Sequence, residues 1–194
     1  MGNQQHNAQL IEAMGAHFVK KPERFGATVR RAAAGVAIAT GAWGAIEFDD
    51  NNTWPETYDW AYWYTQLPFP GGPYPFWAVA NPTRLTIPAP ASMEMGNLAG
   101  EYVVTGHLCW QSNAAGYRQI AIKVTRPPAA AVFVAIDSGV TMGAQESVSQ
   151  SISRKLWLNP GDYVELFGRQ TSGGDLTPLS YDEFGNYFTI GMIR

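Results

Sequence analysis

From Ala27 onward the chain runs in short stretches whose apolar positions recur at every second residue, the period of a strand with one side in a core. "RQIAIKVTR" sets Ile120, Ile122 and Val124 on one parity and Gln119, Ala121, Lys123 and Thr125 on the other. "GEYVVTGHLCWQ" carries Tyr102, Val104, Leu108 and Trp110 on one parity and Val103, Thr105, His107 and Cys109 on the other, which predicts a central strand covered on both faces. "SVSQSISRKLWL" places Val148, Ile152, Leu156 and Leu158 opposite a row of Ser147, Ser149, Ser151 and Ser153. In "NPGDYVELFGRQ" a turn at Asn159 to Gly161 feeds a strand with Val164 and Leu166 facing one way and Tyr163, Glu165, Phe167 and Arg169 the other. Clusters of Gly, Pro and Asn punctuate these runs. The predicted strands are about 27–34, 36–48, 76–87, 101–111, 117–126, 130–137, 146–158, 162–170 and 186–193. Eight or nine strands without a second helix predict an all-β antiparallel fold, a sandwich or jelly roll.

Ahead of the strands the period changes. Residues 5–16, "QHNAQLIEAMGA", have Asn7 in an N-cap position and apolar residues at Leu10, Ile11 and Met14, which predicts one short helix that "KKPERFG" ends. Residues 1–26 are therefore read as an arm and 27–194 as the head domain. Leu10, Ile11, Met14 and Phe18 give the arm an apolar set suited to a groove on a neighbouring protein, so particle anchoring is expected there.

Charge and composition narrow the partners. With 13 basic against 16 acidic residues, a net charge of -3 supplies no basic field for a phosphate backbone, and nucleic acid is not an expected partner. Only 15% of residues are charged while 13% are aromatic, which favours a neutral surface partly buried against other chains. No stretch approaches the roughly 18 apolar residues of a membrane span, and "MGNQQHNAQL" lacks a basic n-region with an apolar run. A soluble protein made in a cytoplasm, without membrane insertion, is expected.

Candidate chemistry is sparse. His6 and His17 lie in the arm and His107 in a predicted strand, so no pair has metal-ligand spacing. Cys109, the one cysteine, reads as a small buried hydrophobe. "FDDNN" at Phe48 to Asn52 offers oxygen ligands but not the regular acidic spacing of a calcium loop. Asp182 and Glu183 are adjacent, and neighbouring side chains on a strand point to opposite faces, so they do not suit a glycosidase pair. There is no nucleophile elbow or phosphate loop. No catalytic residue, cofactor or metal is expected, and the expected activity is binding.

The densest feature is "WPETYDWAYWYTQLPFPGGPYPFWAV", which puts ten aromatic rings into the twenty-four residues from Trp54 to Trp77. Tyr58, Trp60, Tyr62 and Tyr64 alternate with Asp59, Ala61, Trp63 and Thr65, as in a strand or hairpin arm with one aromatic face. Four prolines in "LPFPGGPYPFW" remove backbone donors and stop that strand. Burying such rings, at about 150–250 Å² each, would make an interface core. Exposed, they would stack on sugar faces of an envelope polysaccharide, with Glu56, Asp59 and Gln66 as hydrogen-bond partners. Trp54, Tyr58, Trp60, Tyr62, Trp63, Tyr64 and Trp77 are thus candidates for a subunit or glycan interface, with packing inside the domain as the third reading.

Several pieces, in order, resemble a known family. They are "VRRAAAG" leading to "IATGAWGAIEFDD", then "RLTIPAP", "LAGEYVVTGHLCWQ", "GYRQIAIKV", "LNPGDYVELFGRQTSG" and the closing "YFTIGMI", with most weight on Gly100, Tyr102, Gly161, Asp162, Val164 and Leu166. Over 27–194 the chain resembles the trimeric jelly-roll heads of the complement and tumour-necrosis-factor type, in the version found on bacteriophage virions as head fibres, decoration proteins and minor tail proteins. The resemblance implies a homotrimer, with Tyr163, Phe167 and Tyr187 as candidates for the apolar side facing neighbouring subunits. It makes the aromatic stretch an insertion, about 51–78, in a loop between two strands. It implies a capsid decoration or head-fibre protein of the virion, held to the major capsid protein or another virion protein through residues 1–26. A minor tail protein contacting the bacterial envelope and a free carbohydrate-binding module are the alternatives.

Overall fold

The computed structural model describes residues 26–31, 36–49, 76–89, 98–140, 147–179 and 185–193. Among them the alternating runs become nine strands and no helix: β1 (Gly26–Arg30), β2 (Trp43–Ala45), β3 (Arg84–Thr86), β4 (Gly100–Trp110), β5 (Tyr117–Thr125), β6 (Val132–Val140), β7 (Val148–Leu158), β8 (Tyr163–Gln170) and β9 (Tyr187–Met192). One sheet has the order β1-β9-β4-β7 and the other β2-β8-β5-β6, with β3 also paired to β8. All pairings between these strands are antiparallel. This is the jelly-roll sandwich the alternation predicts. The predicted helix over 5–16 and the arm lie outside the described residues.

The core forms where the apolar parities of the two sheets meet. Tyr102, Val104, Leu108 and Trp110 of β4, with Phe188 and Ile190 of β9, face Ile120, Ile122 and Val124 of β5 and Val164 and Leu166 of β8, and all are buried. Hydrophobic burial of this inner layer, at roughly 25 cal/mol per Å², is the main force holding the sheets together. The serine parity of β7 stays at the surface, as the alternation requires: Ser149, Ser151 and Ser153 are exposed while Ile152 and Leu158 are buried.

Three strands differ from the pattern, one of them the strand predicted over 76–87, which contracts to β3 at Arg84–Thr86. β4 is central, between β9 and β7, but its second face is covered at Cys109 and open further along: Val103 is exposed and Thr105 and His107 are half-buried. An apolar Val on that parity reads as cover, whereas no described element lies over it. The strand predicted over 36–48 shrinks to three residues plus isolated bridges at Ile38 and Thr40.

β2 and β3 share one edge of β8. Ala45 pairs with Phe167 and Arg84 with Glu165, so the chain leaves this edge and returns to it two register positions away. The mouth between them is closed by Phe48 N–H donating to the Pro82 carbonyl at 2.9 Å and Thr86 N–H donating to the Phe76 carbonyl at 2.7 Å. A long excursion is tolerated at such an edge because the ladder on either side stays intact.

Candidate interaction surfaces

Each sheet has an outward face, and the two differ in chemistry. On the β1-β9-β4-β7 sheet, the register sets Thr28, Thr189, Thr105 and Ser153 in one row across all four strands. Thr28 and Thr189 hydroxyls pair at 3.0 Å, as do those of Thr105 and Ser153. The next row holds Arg30, Tyr187, His107 and Ser151; the Tyr187 and His107 rings stack with centroids 5.1 Å apart and planes 10° apart, and His107 Nδ1 lies 3.3 Å from the Gly185 carbonyl. On the same face Val103 is exposed and Trp157 is 61% exposed. Lys155 pairs with Glu101 at 2.8 Å, so this charge is neutralised within the face. The result is a small-residue surface, rich in hydroxyls, with the Arg30 cation at its β1 edge, which another sheet or chain can cover.

The outward face of the second sheet is aromatic and cationic. Trp43 packs on Phe133 at 5.0 Å between centroids, and Phe133 meets Phe167 edge-on at 5.6 Å. Lys123 Nζ sits 4.8 Å from the Phe167 centroid and 5.7 Å from that of Phe133. Arg169 lies 5.9 Å from the Trp43 ring and 6.0 Å from the Tyr117 ring, and is held by Nε donating to the Gly41 carbonyl and Nη1 to Gln119 Oε1. These are cation–π contacts, each worth ~0.5–1 kcal/mol at exposed sites. Beside them Gln119 donates to Ser138 Oγ at 2.8 Å. Glu165 is engaged on the same face: it accepts from Thr83 Oγ1 at 2.9 Å and pairs with Arg84, whose guanidinium covers the Tyr163 ring at 4.3 Å.

Arg118 is the most deeply buried of the described charged residues. Arg118 donates Nη1 to the carbonyls of Ala115 and Tyr117 and Nη2 to that of Asn113, tying down the loop between β4 and β5. Burial lowers the pKa of its guanidinium below the ordinary arginine value. The adjacent Gln150 links the two sheets, accepting from Trp110 Nε1 at 2.9 Å and donating to the Arg118 carbonyl at 3.3 Å.

The predicted site residues fall in different places. Trp54, Tyr58, Trp60, Tyr62, Trp63 and Tyr64 lie outside the described residues, as do Leu10, Ile11, Met14 and Phe18. Trp77, expected at a subunit or sugar, is instead 5% exposed in the core, with its Nε1 donating to the Pro82 carbonyl at 3.2 Å. It sits where the chain rejoins the sheet, so its ring packs inward. Tyr163 and Phe167 are on the outward face of the second sheet, and Tyr187 is on that of the first, so the three do not form one side. Strands β8 and β9 are consecutive in sequence but belong to different sheets. Cys109 is buried, and its N–H donates to Asn186 Oδ1 at 2.7 Å.

Trp43, Phe133, Ile136 and Trp157 were not among the expected interface residues. Trp157 could have been found from parity, since it follows Ser149, Ser151 and Ser153 on the outward side of β7. Among the described residues, no group of three or more His, Cys, Asp or Glu side chains gathers as a metal site.

The antiparallel all-β sandwich is consistent with a jelly roll of the complement and tumour-necrosis-factor-like type. The structure of Eiger TNF from S. frugiperda matches with a TM-score of 0.51 at 14% identity, over 89% of this chain and 94% of that one. The globular domain of zebrafish complement 1qA protein matches with a TM-score of 0.47 at 14% identity, over 87% of this chain and 95% of that one. No protein-family model matches the chain, and no curated protein matches it in sequence. Identity this low speaks to the fold alone.

Proposed function

We propose that this chain is a self-associating jelly-roll head, a homotrimer, that serves a bacteriophage virion as a capsid decoration or head-fibre protein. Its work is binding rather than catalysis. The observation that carries self-association is the outward face of the β1-β9-β4-β7 sheet, where the hydroxyl row and the Tyr187 and His107 stack lie beside exposed Val103 and Trp157. Such a face gains from burying its apolar members. The virion assignment is supported by the ordered sequence pieces quoted above, and the arm over residues 1–26 would join the head to the particle.

Light scattering on the purified chain tests the first part, with three copies expected and a shift to monomer for Thr105→Arg. A monomeric wild type at micromolar concentration would refute it. Labelling on intact particles tests the second part. Label on the head supports decoration, label on the tail reassigns the protein to host contact, and no label removes it from the virion. A chain lacking residues 1–26 is expected to stay folded and trimeric but to be missing from particles.

A further inference from the structure

We infer that the outward face of the β2-β8-β5-β6 sheet is a second binding surface, for an acidic polysaccharide whose charge is carried by sugar carboxylates. The inference does not rest on the virion reading, because a free head would present the same face.

The platform is assembled in advance. Trp43, Phe133 and Phe167 form a continuous run of rings, and Phe133 remains 39% exposed with Ile136 beside it at 54%. The partly exposed rings, tilted by 37° and 83° to one another, offer apolar surface to the C–H faces of pyranoses. Gln119, Ser138 and the Tyr117 hydroxyl lie along the same face and supply donors and acceptors for sugar hydroxyls.

Charge decides the class of sugar. Among the described residues, this face carries the cations Lys123, Arg169 and Arg84 against one carboxylate, Glu165, in a chain whose net charge is -3. Arg84 is committed to Glu165. Lys123 stands opposite Glu165 in the register of β5 and β8 but rests on rings rather than in an ion pair with it, and Arg169 rests on rings and neutral oxygens. Both cations are thus oriented and keep their charge for a ligand.

Spacing separates this ligand from nucleic acid. Arg169 pairs with Gln119, and Lys123 lies four residues further along β5, about 13 Å away at ~3.3 Å per residue. Two cations so far apart suit a chain with charges on some of its sugars. A polynucleotide carries a charge at every unit and is bound by many cations along a groove.

Calorimetric titration of the full chain tests the assignment with four probes: a galacturonate hexamer, its methyl ester, a hexamer alternating glucuronate with N-acetylglucosamine, and the oligonucleotide dT12. At least one carboxylated hexamer is expected to bind, with its affinity falling as salt rises. Lys123→Gln and Arg169→Gln should each weaken binding about tenfold or more. Trp43→Ala should weaken it as well, and Val79→Ser should leave it unchanged. The two Gln variants keep the test decisive if Trp43→Ala does not fold. The inference is overturned if neither carboxylated hexamer binds, if the methyl ester binds as tightly as its parent acid, if dT12 binds more tightly than both, or if the Gln variants bind like the wild type.

Discussion

Gly106 on β4 lies across the core from Leu166 on β8, so close that a Cβ on Gly106 would fall 2.3 Å from Leu166 Cδ1. The same two strands meet in the opposite sense at Gly168, where a Cβ would fall 2.7 Å from the Trp110 ring. Small against large, then large against small, is how the sheets interdigitate at this point. Overpacking such a core costs ~1–3 kcal/mol. Gly106→Ala is therefore expected to destabilise the head by about that amount in urea unfolding. Adding Leu166→Val should cost less in the Gly106→Ala background than alone, because the two changes share one space. Additive costs would mean that the clash is relieved elsewhere.

The turn between β7 and β8 makes a separate prediction. Gly161 has φ of +88°, and nothing lies within 4 Å of the Cβ it lacks. Substitution by Ala thus meets a conformational cost alone, on the order of 1 kcal/mol. Asp162 next to it accepts from Asn159 N–H at 2.9 Å and pairs with Arg126 at 3.6 Å, while its own carbonyl accepts from Ile87 N–H at 2.8 Å. Asp162→Ala removes the charge-assisted bond and is expected to cost ~1.5–3 kcal/mol. Asp162→Asn, which keeps an acceptor, should lose less. Thermal unfolding of the three variants ranks these effects, and equal losses for Asn and Ala would show that charge rather than the turn bond matters.

How far these relationships are legible in the sequence depends on what parity encodes. Ile120, Ile122 and Val124 are inward both by alternation and in the fold, since alternation reports the face of a strand. It does not report the sheet to which the strand belongs, and Tyr187 parts from Tyr163 and Phe167 for that reason. Alternation also fails across a bulge. The pairing of β5 with β6 shifts between Ile122 and Lys123, so odd-numbered Phe133 and even-numbered Ile136 both pair with outward residues, Lys123 and Ala121. That one-residue step hides the β6 part of the aromatic face, Phe133 together with Ile136, whereas Phe167, Arg169 and Lys123 follow from parity. Trp77 misled differently: it closes a Pro-rich aromatic stretch in sequence, but it lies at the point of return to the sheet.

Trp77 and Trp157 should accordingly behave as opposites. Trp77→Ala empties a core position and is expected to cost ~3–5 kcal/mol in the isolated head. Trp157 is an exposed ring whose Nε1 is 3.4 Å from Asn159 Oδ1, and Trp157→Ala is expected to stay within about 0.5 kcal/mol for the monomeric fold. If the surface it occupies is a subunit contact, the loss appears in the light-scattering mass instead. A Trp77→Ala head as stable as the wild type would return that ring to the interface class.

Alkaline pH probes the centre of the sandwich through Tyr102. Its hydroxyl donates to the Leu98 carbonyl at 2.7 Å, and the Phe76 ring stands edge-on at 6.5 Å. Burial raises the pKa of this phenol above the ordinary tyrosine value, because an ionised oxygen there would lose its water and its donor role. The unfolded chain ionises Tyr102 near pH ~10, while the folded chain still holds the proton. The unfolded state therefore binds fewer protons than the folded state above that pH, and stability falls as pH rises toward the folded value. The contribution is complete below pH ~10, and its decline approaches 1.36 kcal/mol per pH unit, roughly, where only the unfolded phenol is ionised. Tyr102→Phe removes this proton linkage at the cost of an unpaired Leu98 carbonyl, ~1–3 kcal/mol at neutral pH. Urea midpoints measured from pH 7 to 11, about the range in which the linkage sets in, should fall less steeply for the variant than for the wild type. Parallel declines would mean that groups other than Tyr102 govern alkaline unfolding.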